Sequence, residues 1–406
     1  LDAEARKVAR SMGPTTVLST EEFVCCYAGR KRTRYQQAAD SLLIRPLGPN
    51  DSIIGAFIKS EKFDPYAKVN PAPRMIQARN ARFNLEVGRY LKPIERELYH
   101  IKSKRGYPVM GKGLNPVQRA ELLNKKVNAF ANPLIISIDA SRFDQHISRD
   151  LLCIEHNVYR KCCNDPYFCQ LLAAQLENRC YTQGGWGYQT KGRRMSGDMN
   201  TSLGNCLLMY IMANTALKKL KLKDFELFVD GDDTLIITEL EEERKLVGLQ
   251  GVFLQFGQEI RLENRATCME QIRWCQAQPC RIDGNWMMVP AWEKTLSIMA
   301  CGTKHWHEST TRYDMGFSVG QCLLALYPGV PIIQEYAVRL CTQGKLNPEI
   351  FEDAIIYKMT PGTAKLLGKL KPVEVSLTSR FCFEETFGIC PLKQKEIERA
   401  LSDWAI

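Results

Sequence analysis

The arrangement of apolar and polar positions predicts two buried β elements that each end in carboxylates. Leu134–Ile138 is a short, branched apolar run typical of a buried strand, and Asp139 follows it directly. Apolar residues at 227–229 and 235–237 flank a second acidic stretch, and this pattern predicts a β-hairpin. Gly231 within that stretch supplies the backbone freedom that a tight turn needs.

The tip of the predicted hairpin contains the adjacent carboxylates Asp232 and Asp233. Neighbouring carboxylates repel each other and reduce stability unless a cation offsets their charge, and Mg²⁺ is a hard ion that takes oxygen ligands. On this stretch alone, a surface hairpin with a solvated Asp-Gly turn explains the pattern equally well.

Helical patterns surround these strands. An apolar helix is predicted from Cys206 to Leu217, and residues 1–60 are basic and helical in character. From about Pro290 onward the apolar spacing is again helical, with predicted helices at 319–326, 332–340, 349–357 and 393–401.

The composition is that of a large globular chain with an excess of positive charge. A chain of 406 residues with 45% hydrophobic content can bury a large core and exceeds a typical single domain. The 55 Lys and Arg outnumber the 45 Asp and Glu, which favours a polyanionic partner, although proteins that bind none can carry a similar excess. Adjacent cysteines such as Cys25 and Cys26 indicate reduced thiols in a cytosolic compartment.

Targeting and membrane signals are not visible in the sequence. No segment approaches the roughly 18 apolar residues of a membrane span. The chain opens with Leu1 and shows no signal peptide, so we expect it to be a downstream part of a larger product.

A basic cluster lies near the start of the chain and comprises Arg30, Lys31, Arg32 and Arg34. A solvated helix face explains such a run as well as phosphate contacts with a nucleic acid do. The later segment 111–113 lacks the frame of a phosphate-binding loop and predicts a flexible loop, either a fingertip or a loop on the template side of a nucleic-acid site.

Three motifs follow one another in a specific order: a strand-end segment at Asp139–Asp144, a helix start at Ser196–Asn205 and a hairpin at Gly231–Asp233. This combination resembles the palm of viral RNA-dependent RNA polymerases. Further segments are similar to the polymerases of tombusvirus-type plant viruses (Tombusviridae) and their relatives, so that the resemblance covers nearly the whole chain. These segments are Lys59–Lys62, Pro73–Gln77, Ile272–Gln276, Arg380–Phe383 and Phe387–Ile389.

The resemblance implies an α+β fold, the right-handed polymerase fold, with fingers, a palm made of an antiparallel sheet flanked by helices, and a mostly helical thumb. It also implies synthesis of RNA from an RNA template for a positive-strand RNA virus. The expected division is fingers with fingertips at 1–132, palm at 133–158, a fingers insertion at 159–192, palm at 193–284 and thumb at 285–406.

Catalytic roles carried over from the resemblance fall on three carboxylates. Asp139 and Asp232 are expected to bind Mg²⁺, or Mn²⁺ as a substitute, on adjacent strands, with Asp233 as a weaker ligand. Two metal ions would activate the attacking 3′-hydroxyl and stabilise the leaving oxygen.

Nucleotide and RNA contacts are also implied. Asp144, Ser196 and Asn205 are expected to recognise the ribose 2′-hydroxyl, which distinguishes RNA from DNA precursors; a helix-capping carboxylate is the alternative for Asp144. The nucleotide-binding set is completed by Lys62, Arg74, Arg79 and Thr201, with Arg82 as a further helper, and surface charge is the alternative for Arg79 and Arg82. The expected RNA contacts are the basic cluster and Gly197, in a flexible loop with Ser196.

Two positions raise questions. Arg261 stands where relatives often carry a Lys that protonates pyrophosphate, and an Arg is a poor acid, so the proton donor stays unassigned. Cys301, His305 and His307 have weak zinc spacing and are more simply explained by packing or template contact.

The expected partners are template and nascent RNA, ribonucleoside triphosphates and an auxiliary viral replication protein. The expected location is the host cytoplasm, in replication complexes that reach membranes through other segments or partners. Two rival interpretations are a reverse transcriptase or DNA polymerase, which shares the palm carboxylates, and an RNA-binding replication subunit without catalysis.

Overall fold

The computed structural model describes residues 1–61, 69–302, 305–351, 368 and 370–404. Its strands are β1 (Ile54–Ile58), β2 (Met75–Arg79), β3 (Pro133–Ala140), β4 (Glu177–Thr182), β5 (Gly187–Lys191), β6 (Phe225–Asp230), β7 (Asp233–Glu239), β8 (Ile260–Ala266), β9 (Ala277–Ile282) and β10 (Asn285–Pro290). The α-helices are α1 (Asp2–Met12), α2 (Thr20–Cys25), α3 (Gly29–Ile44), α4 (Ala81–Tyr99), α5 (Pro116–Val127), α6 (Phe143–His146), α7 (Arg149–Cys162), α8 (Pro166–Ala173), α9 (Thr201–Lys219), α10 (Glu243–Leu246), α11 (Leu249–Gln255), α12 (Trp292–Met299), α13 (Arg312–Leu326), α14 (Ile333–Leu340), α15 (Pro348–Phe351), α16 (Leu377–Phe387) and α17 (Pro391–Asp403).

Two compact units make up the described chain. The first contains residues 1–112 and 130–264, and the second contains residues 113–129 and 265–406. Helices and mainly antiparallel sheets occur together, which confirms the α+β prediction. The five-segment division into fingers, palm and thumb stays a prediction.

The first unit is built on two four-stranded sheets. One has the order β6-β7-β3-β8, and the other has the order β2-β1-β4-β5, in which β1 and β4 pair in parallel. The β3 and β7 strands are buried along almost their whole length, as their branched apolar runs predict. Helix α9 packs against β6 and contacts α1, α7 and α11, and its buried side chains surround it on all sides. This packing fixes the start of α9 beside the ends of β3 and β6.

The second unit is mostly helical around the β9–β10 hairpin. Helix α5 packs on β10, α16 packs on β9, and α13 and α14 pack on each other in one apolar core. The predicted helices at 319–326, 332–340 and 393–401 are confirmed by α13, α14 and α17. The prediction for 349–357 begins in α15, and its later residues lie outside the described chain. Trp306 packs against this core.

Candidate active site

The tip of the β6–β7 hairpin is a two-residue turn. Asp230 and Asp233 are the last paired residues, so Gly231 and Asp232 form the turn. Gly231 has φ 76°, a left-handed value that glycine adopts without strain, and its N–H donates to Cys206 Sγ at 3.2 Å. Glycine with positive φ at the first turn position is typical of a type II′ turn, whose twist matches that of the flanking strands. The turn therefore holds Asp232 at the end of the hairpin.

Strand β3 brings Asp139 to the same place. Ile138 lies opposite Thr234 in the antiparallel pairing of β3 with β7. The next pair in this antiparallel register is formed by the residue after Ile138 and the residue before Thr234, so Asp139 and Asp233 lie side by side. The strand-end carboxylate and the hairpin carboxylates are thus on adjacent strands, as the family resemblance implies.

The carboxylates at this point raise one another's pKa. Burial raises the pKa of Asp232, and the negative charges of Asp144 and Asp139 add to the effect. Burial also raises the pKa of Asp233 to about 6, reinforced first by Asp232 and then by Asp139. The cluster therefore lacks sufficient positive charge of its own to offset its ionised carboxylates.

This donor set fits a hard divalent cation. Aspartate oxygens are the ligands that Mg²⁺ takes, and a bound cation would relieve the repulsion that raises the two pKa values. Within the described ranges, no three His, Cys, Asp or Glu side chains are already grouped at metal-holding distances. The carboxylate oxygens therefore suit Mg²⁺ by their chemistry, although they do not form a complete coordination site in this arrangement.

Lys112 supplies a positive charge beside the hairpin, and sequence reasoning missed it. Val229 N–H donates to Val109 O at 3.0 Å and Gly111 N–H donates to Val229 O at 2.8 Å, so this segment runs along β6. Lys112 Nζ forms an ion pair with Asp230, and its charge opposes the rise in the pKa of Asp232. The expectation of a flexible loop at 111–113 is wrong for Gly111 and Lys112, because backbone pairing and an ion pair hold them.

Asp144 and Asn205 are joined by a hydrogen bond. Asn205 Nδ2 donates to Asp144 Oδ1 at 2.8 Å, which links the short helix α6 to the buried face of α9. Arg142, directly before α6, has φ 51°, a conformation that is uncommon for a bulky residue and frequent at functional sites. This turn brings Asp144 close enough to raise the pKa of Asp232.

Ser196, Gly197 and Thr201 are bound to other parts of the loop and of β2. Ser196 Oγ accepts from Gln77 N–H at 3.1 Å, and Gly197 N–H donates to Gln77 O at 2.9 Å. A Cβ at Gly197 would lie 2.6 Å from Ala78 Cα, so glycine is required by the close approach of β2. Thr201 Oγ1 donates to carbonyl oxygens of the same loop. The expectation of a flexible Ser196–Gly197 loop is wrong, since β2 holds it; the ligand roles of these residues stay predictions.

Arg74 is the predicted triphosphate contact that reaches the carboxylates. Its side chain is 70% exposed, and Nε donates to Glu61 Oε2 at 2.7 Å. The hydrogen bond to Glu61 raises the pKa of Arg74, and the charge of Asp232 contributes to the same effect. Arg74 thus lies within electrostatic reach of the hairpin tip while its guanidinium faces solvent. Lys62 lies outside the described residues.

Arg79 and Arg82 lie inside the protein instead. Arg79 is 1% exposed, forms an ion pair with Asp198 and donates to Ser52 O at 2.7 Å. Arg82 is buried as well and donates to Asp51 Oδ1 at 3.0 Å. Both guanidinium groups are placed as structural cations, which does not support the expectation that they contact a triphosphate.

The basic cluster lies at the start of α3, and all four of its side chains are exposed. Lys31 Nζ lies 4.5 Å from the centre of the Tyr27 ring. Cations at a helix N-terminus are unfavourable because the helix dipole is positive there, and the first turn of α3 contains no acidic residue. An anionic ligand would offset this concentration of positive charge.

Comparison with known sequences places the chain among viral polymerases. The family described as "Viral RNA dependent RNA polymerase" matches residues 1–406. The chain is 36% identical over 402 residues to the RNA-directed RNA polymerase of Carnation mottle virus, covering 97% of this chain and 52% of that protein. It is 33% identical over 407 residues to that of Turnip crinkle virus, covering 97% and 51%. It is 34% identical over 393 residues to that of Groundnut rosette virus (strain MC1), covering 94% and 46%.

The chain spans about half the length of the curated relatives that it matches. The family match nevertheless extends from the first residue to the last, and it includes the hairpin, the strand-end carboxylate and the Asp144–Asn205 pair. This chain therefore belongs to the family of viral RNA-dependent RNA polymerases.

Proposed function

We propose that this chain is the catalytic part of an RNA-directed RNA polymerase that copies the genome of a positive-strand plant virus. The observation that carries the proposal is the placement of Asp139, Asp232 and Asp233 at neighbouring strand ends, within electrostatic reach of the hydrogen-bonded pair Asp144–Asn205. Each group corresponds to one requirement of nucleotide addition, namely charge stabilisation at the reacting phosphate and recognition of a ribose. Template RNA, nascent RNA and ribonucleoside triphosphates are the ligands.

Asp139 and Asp232 are the proposed ligands of two Mg²⁺ or Mn²⁺ ions, with Asp233 as a weaker ligand. Divalent ions held by these carboxylates would supply charge stabilisation for the reacting oxygens. The register of β3 against β7 and the turn at Gly231 place the three carboxylates at neighbouring strand ends, and Lys112 forms an ion pair with Asp230, which is not one of the proposed ligands.

Asp144 and Asn205 are the proposed ribose readers. Their mutual hydrogen bond uses one carboxylate oxygen of Asp144 and one amide N–H of Asn205. The second oxygen can accept from a 2′-hydroxyl, and the second N–H can donate to it. A deoxynucleotide would leave both groups unpaired. Ser196 accepts a hydrogen bond from Gln77 of β2, and its own contact with the sugar is part of the proposal.

Arg74 is the proposed triphosphate contact, because its side chain is exposed and the charge of Asp232 contributes to raising its pKa. Lys62 keeps the role that the family resemblance gives it. Arg261 lies exposed on β8, and an arginine side chain is a poor proton donor, which argues against proton donation to pyrophosphate. The basic cluster on α3 is proposed to contact RNA phosphates.

The fingers, palm and thumb division is proposed with the boundaries expected from the sequence. No helix of the described ranges is long and apolar enough to cross a membrane. We further propose that an auxiliary replication protein or another segment connects the enzyme with membrane-associated complexes in the host cytoplasm.

The test is nucleotide addition by the purified chain on an RNA template, with and without a primer. Asp232→Ala should abolish synthesis and leave the fold intact, because it removes a proposed ligand of the divalent ions that would stabilise charge on the reacting oxygens. Asp224→Ala, which deletes the same side chain beyond the other end of β6 where it pairs with Arg105, is the matched control and should retain synthesis. Synthesis near the wild-type rate by a folded Asp232→Ala protein would refute the assignment, and a wild-type chain that binds RNA without adding nucleotides would favour the non-catalytic subunit.

A further inference from the structure

A buried ion pair lies directly behind the proposed ribose readers. Glu155 on α7 is 0% exposed and Arg194, in the loop before α9, is 2% exposed. Arg194 Nη1 donates to Glu155 Oε1 at 2.9 Å, and Nη2 donates to Glu155 Oε2. Burial acts to raise the pKa of Glu155, but the charge and hydrogen bonds of Arg194 overcome this effect and lower it. The pair is therefore ionised and bidentate.

The third donor of the guanidinium points towards the site. Arg194 Nε donates to Asn205 Oδ1 at 3.1 Å, while Asn205 Nδ2 donates to Asp144 Oδ1 at 2.8 Å. These bonds form one continuous chain from Glu155 through Arg194 and Asn205 to Asp144.

This chain determines which way the Asn205 amide faces. A guanidinium has N–H donors and no acceptor, so only the amide oxygen can face it. The amide nitrogen must then face Asp144, and its second N–H is left for a ligand. If the amide were rotated by half a turn, its oxygen would face the Asp144 carboxylate and its N–H groups would face a cation. Both contacts would be repulsive.

Glu155 is itself held from several directions. Tyr159 Oη donates to its Oε1 at 2.9 Å, and Asn200 Nδ2 donates to the same oxygen at 2.7 Å. A Cβ at Gly204 would lie 2.5 Å from Glu155 Oε1, so α9 leaves no free space beside the pair. The Glu155 carboxylate held in this way orients the guanidinium group of Arg194, and that group orients the Asn205 amide.

We propose that Glu155 and Arg194 are positioning residues for sugar selection, which hold the Asn205 amide in the orientation that reads a ribose 2′-hydroxyl. This proposal rests on the proposed ribose-reading role of Asp144 and Asn205. It goes further in assigning selectivity to two side chains that touch no substrate. The alternative is a purely structural ion pair, which would affect stability and leave sugar choice unchanged.

Arg194→Lys separates the two roles. Lysine keeps a positive charge for Glu155. It replaces the three nitrogens of the guanidinium group by a single ammonium group, so the hydrogen-bond donor to Asn205 is lost. We expect the ratio of kcat/KM for a ribonucleotide over the matching deoxynucleotide to fall at least ten-fold. Arg380→Lys is the matched control, because Arg380 is buried and forms a bidentate pair with the half-buried Glu398 in the second unit. It should lower the unfolding temperature and leave the ratio unchanged.

A double substitution tests whether Arg194 acts through Asn205. If it does, Arg194→Lys combined with Asn205→Asp should change the ratio no more than the stronger single substitution does. Additive effects would show that Arg194 does not work through this amide, and would overturn the proposal.

The remaining outcomes are also decisive. If Arg194→Lys folds and the ratio stays within two-fold of wild type, the pair is structural only. If Arg194→Lys does not fold, Glu155→Gln provides the test, because it keeps the guanidinium group and weakens its bidentate pairing. An unchanged ribo-to-deoxy ratio in this variant would overturn the proposal, and a reduced ratio would support it. Asp144→Ala and Asn205→Asp identify the source of a failure. If neither changes the ratio, the ribose-reading role fails, whereas if they change it and the Arg194 and Glu155 variants do not, positioning alone fails.

Discussion

Gly204→Ala should destabilise the first unit, although alanine is the better helix former. Gly204 lies in α9, and an added Cβ would lie 2.5 Å from Glu155 Oε1 and 2.7 Å from its Cδ, and closer still to Arg194 Nη2. Ordinary carbon contacts begin near 3.4 Å, so the ion pair or the helix would have to move by roughly 1 Å.

The magnitude follows from two opposing terms. Replacing glycine by alanine inside a helix gains about 1 kcal/mol, because the unfolded chain loses less entropy on folding. Overpacking a filled core costs about 1–3 kcal/mol, and the atoms that must move here belong to a buried bidentate pair that cannot relax freely. We therefore expect a net loss of up to about 2 kcal/mol, accompanied by a lower ribo-to-deoxy ratio.

Gly251→Ala is the control, since Gly251 lies inside α11, is exposed, and has no atom within 4 Å of an added Cβ. It should gain up to about 1 kcal/mol. Thermal unfolding gives the sign of each change, and hydrogen exchange in α9 peptides locates it, which matters because the chain forms two compact units. If Gly204→Ala were as stabilising as Gly251→Ala, the crowding around the ion pair would be refuted.

Three further predictions concern charge. The pKa of Asp233 is raised from 3.8 to about 6, so ionisation of its carboxyl group destabilises the metal-free fold as pH rises through this window. Asp233→Asn should therefore unfold at a higher temperature than wild type at pH 7.5 in EDTA. If this difference persisted at pH 4, ionisation of Asp233 could not be its cause. Lys112→Met should reduce synthesis about ten-fold and Lys112→Arg much less, because the first removes the positive charge that pairs with Asp230 and opposes the rise in the pKa of Asp232. Equal activities in primer extension would show that this positive charge is dispensable. Replacing the four residues of the basic cluster by Gln should reduce the slope of log K for RNA binding against log salt concentration by about 0.7 per lost phosphate contact. An unchanged slope would indicate that the cluster is only a solvated helix face.

The carboxylate strands were predictable from sequence because their signals are local. A branched apolar run that ends at Asp139 and an apolar hairpin around Gly231 specify strands and a turn without reference to the rest of the chain. The helices of the second unit followed from apolar periodicity for the same reason, whereas the α+β class was implied by the family resemblance.

The partners of isolated cations could not be predicted in this way. Arg79 looks like an exposed phosphate ligand until Asp198, 119 positions later, is seen to neutralise it. Lys112 and Arg194 reach the site through pairings with Asp230 and Glu155 that follow no sequence spacing. Only tertiary packing distinguishes a buried structural cation from one that is available to a ligand.

The register of β3 against β7 also limits where the chain can change in length. Side chains alternate between the two faces of a strand, so one inserted residue between Pro133 and Ile138 would turn Asp139 to the opposite face or force a bulge. The turn between β4 and β5, with the exposed Trp186, lies in a different sheet, and insertions there leave this register untouched. Natural insertions and deletions should therefore collect in that turn and be excluded from β3.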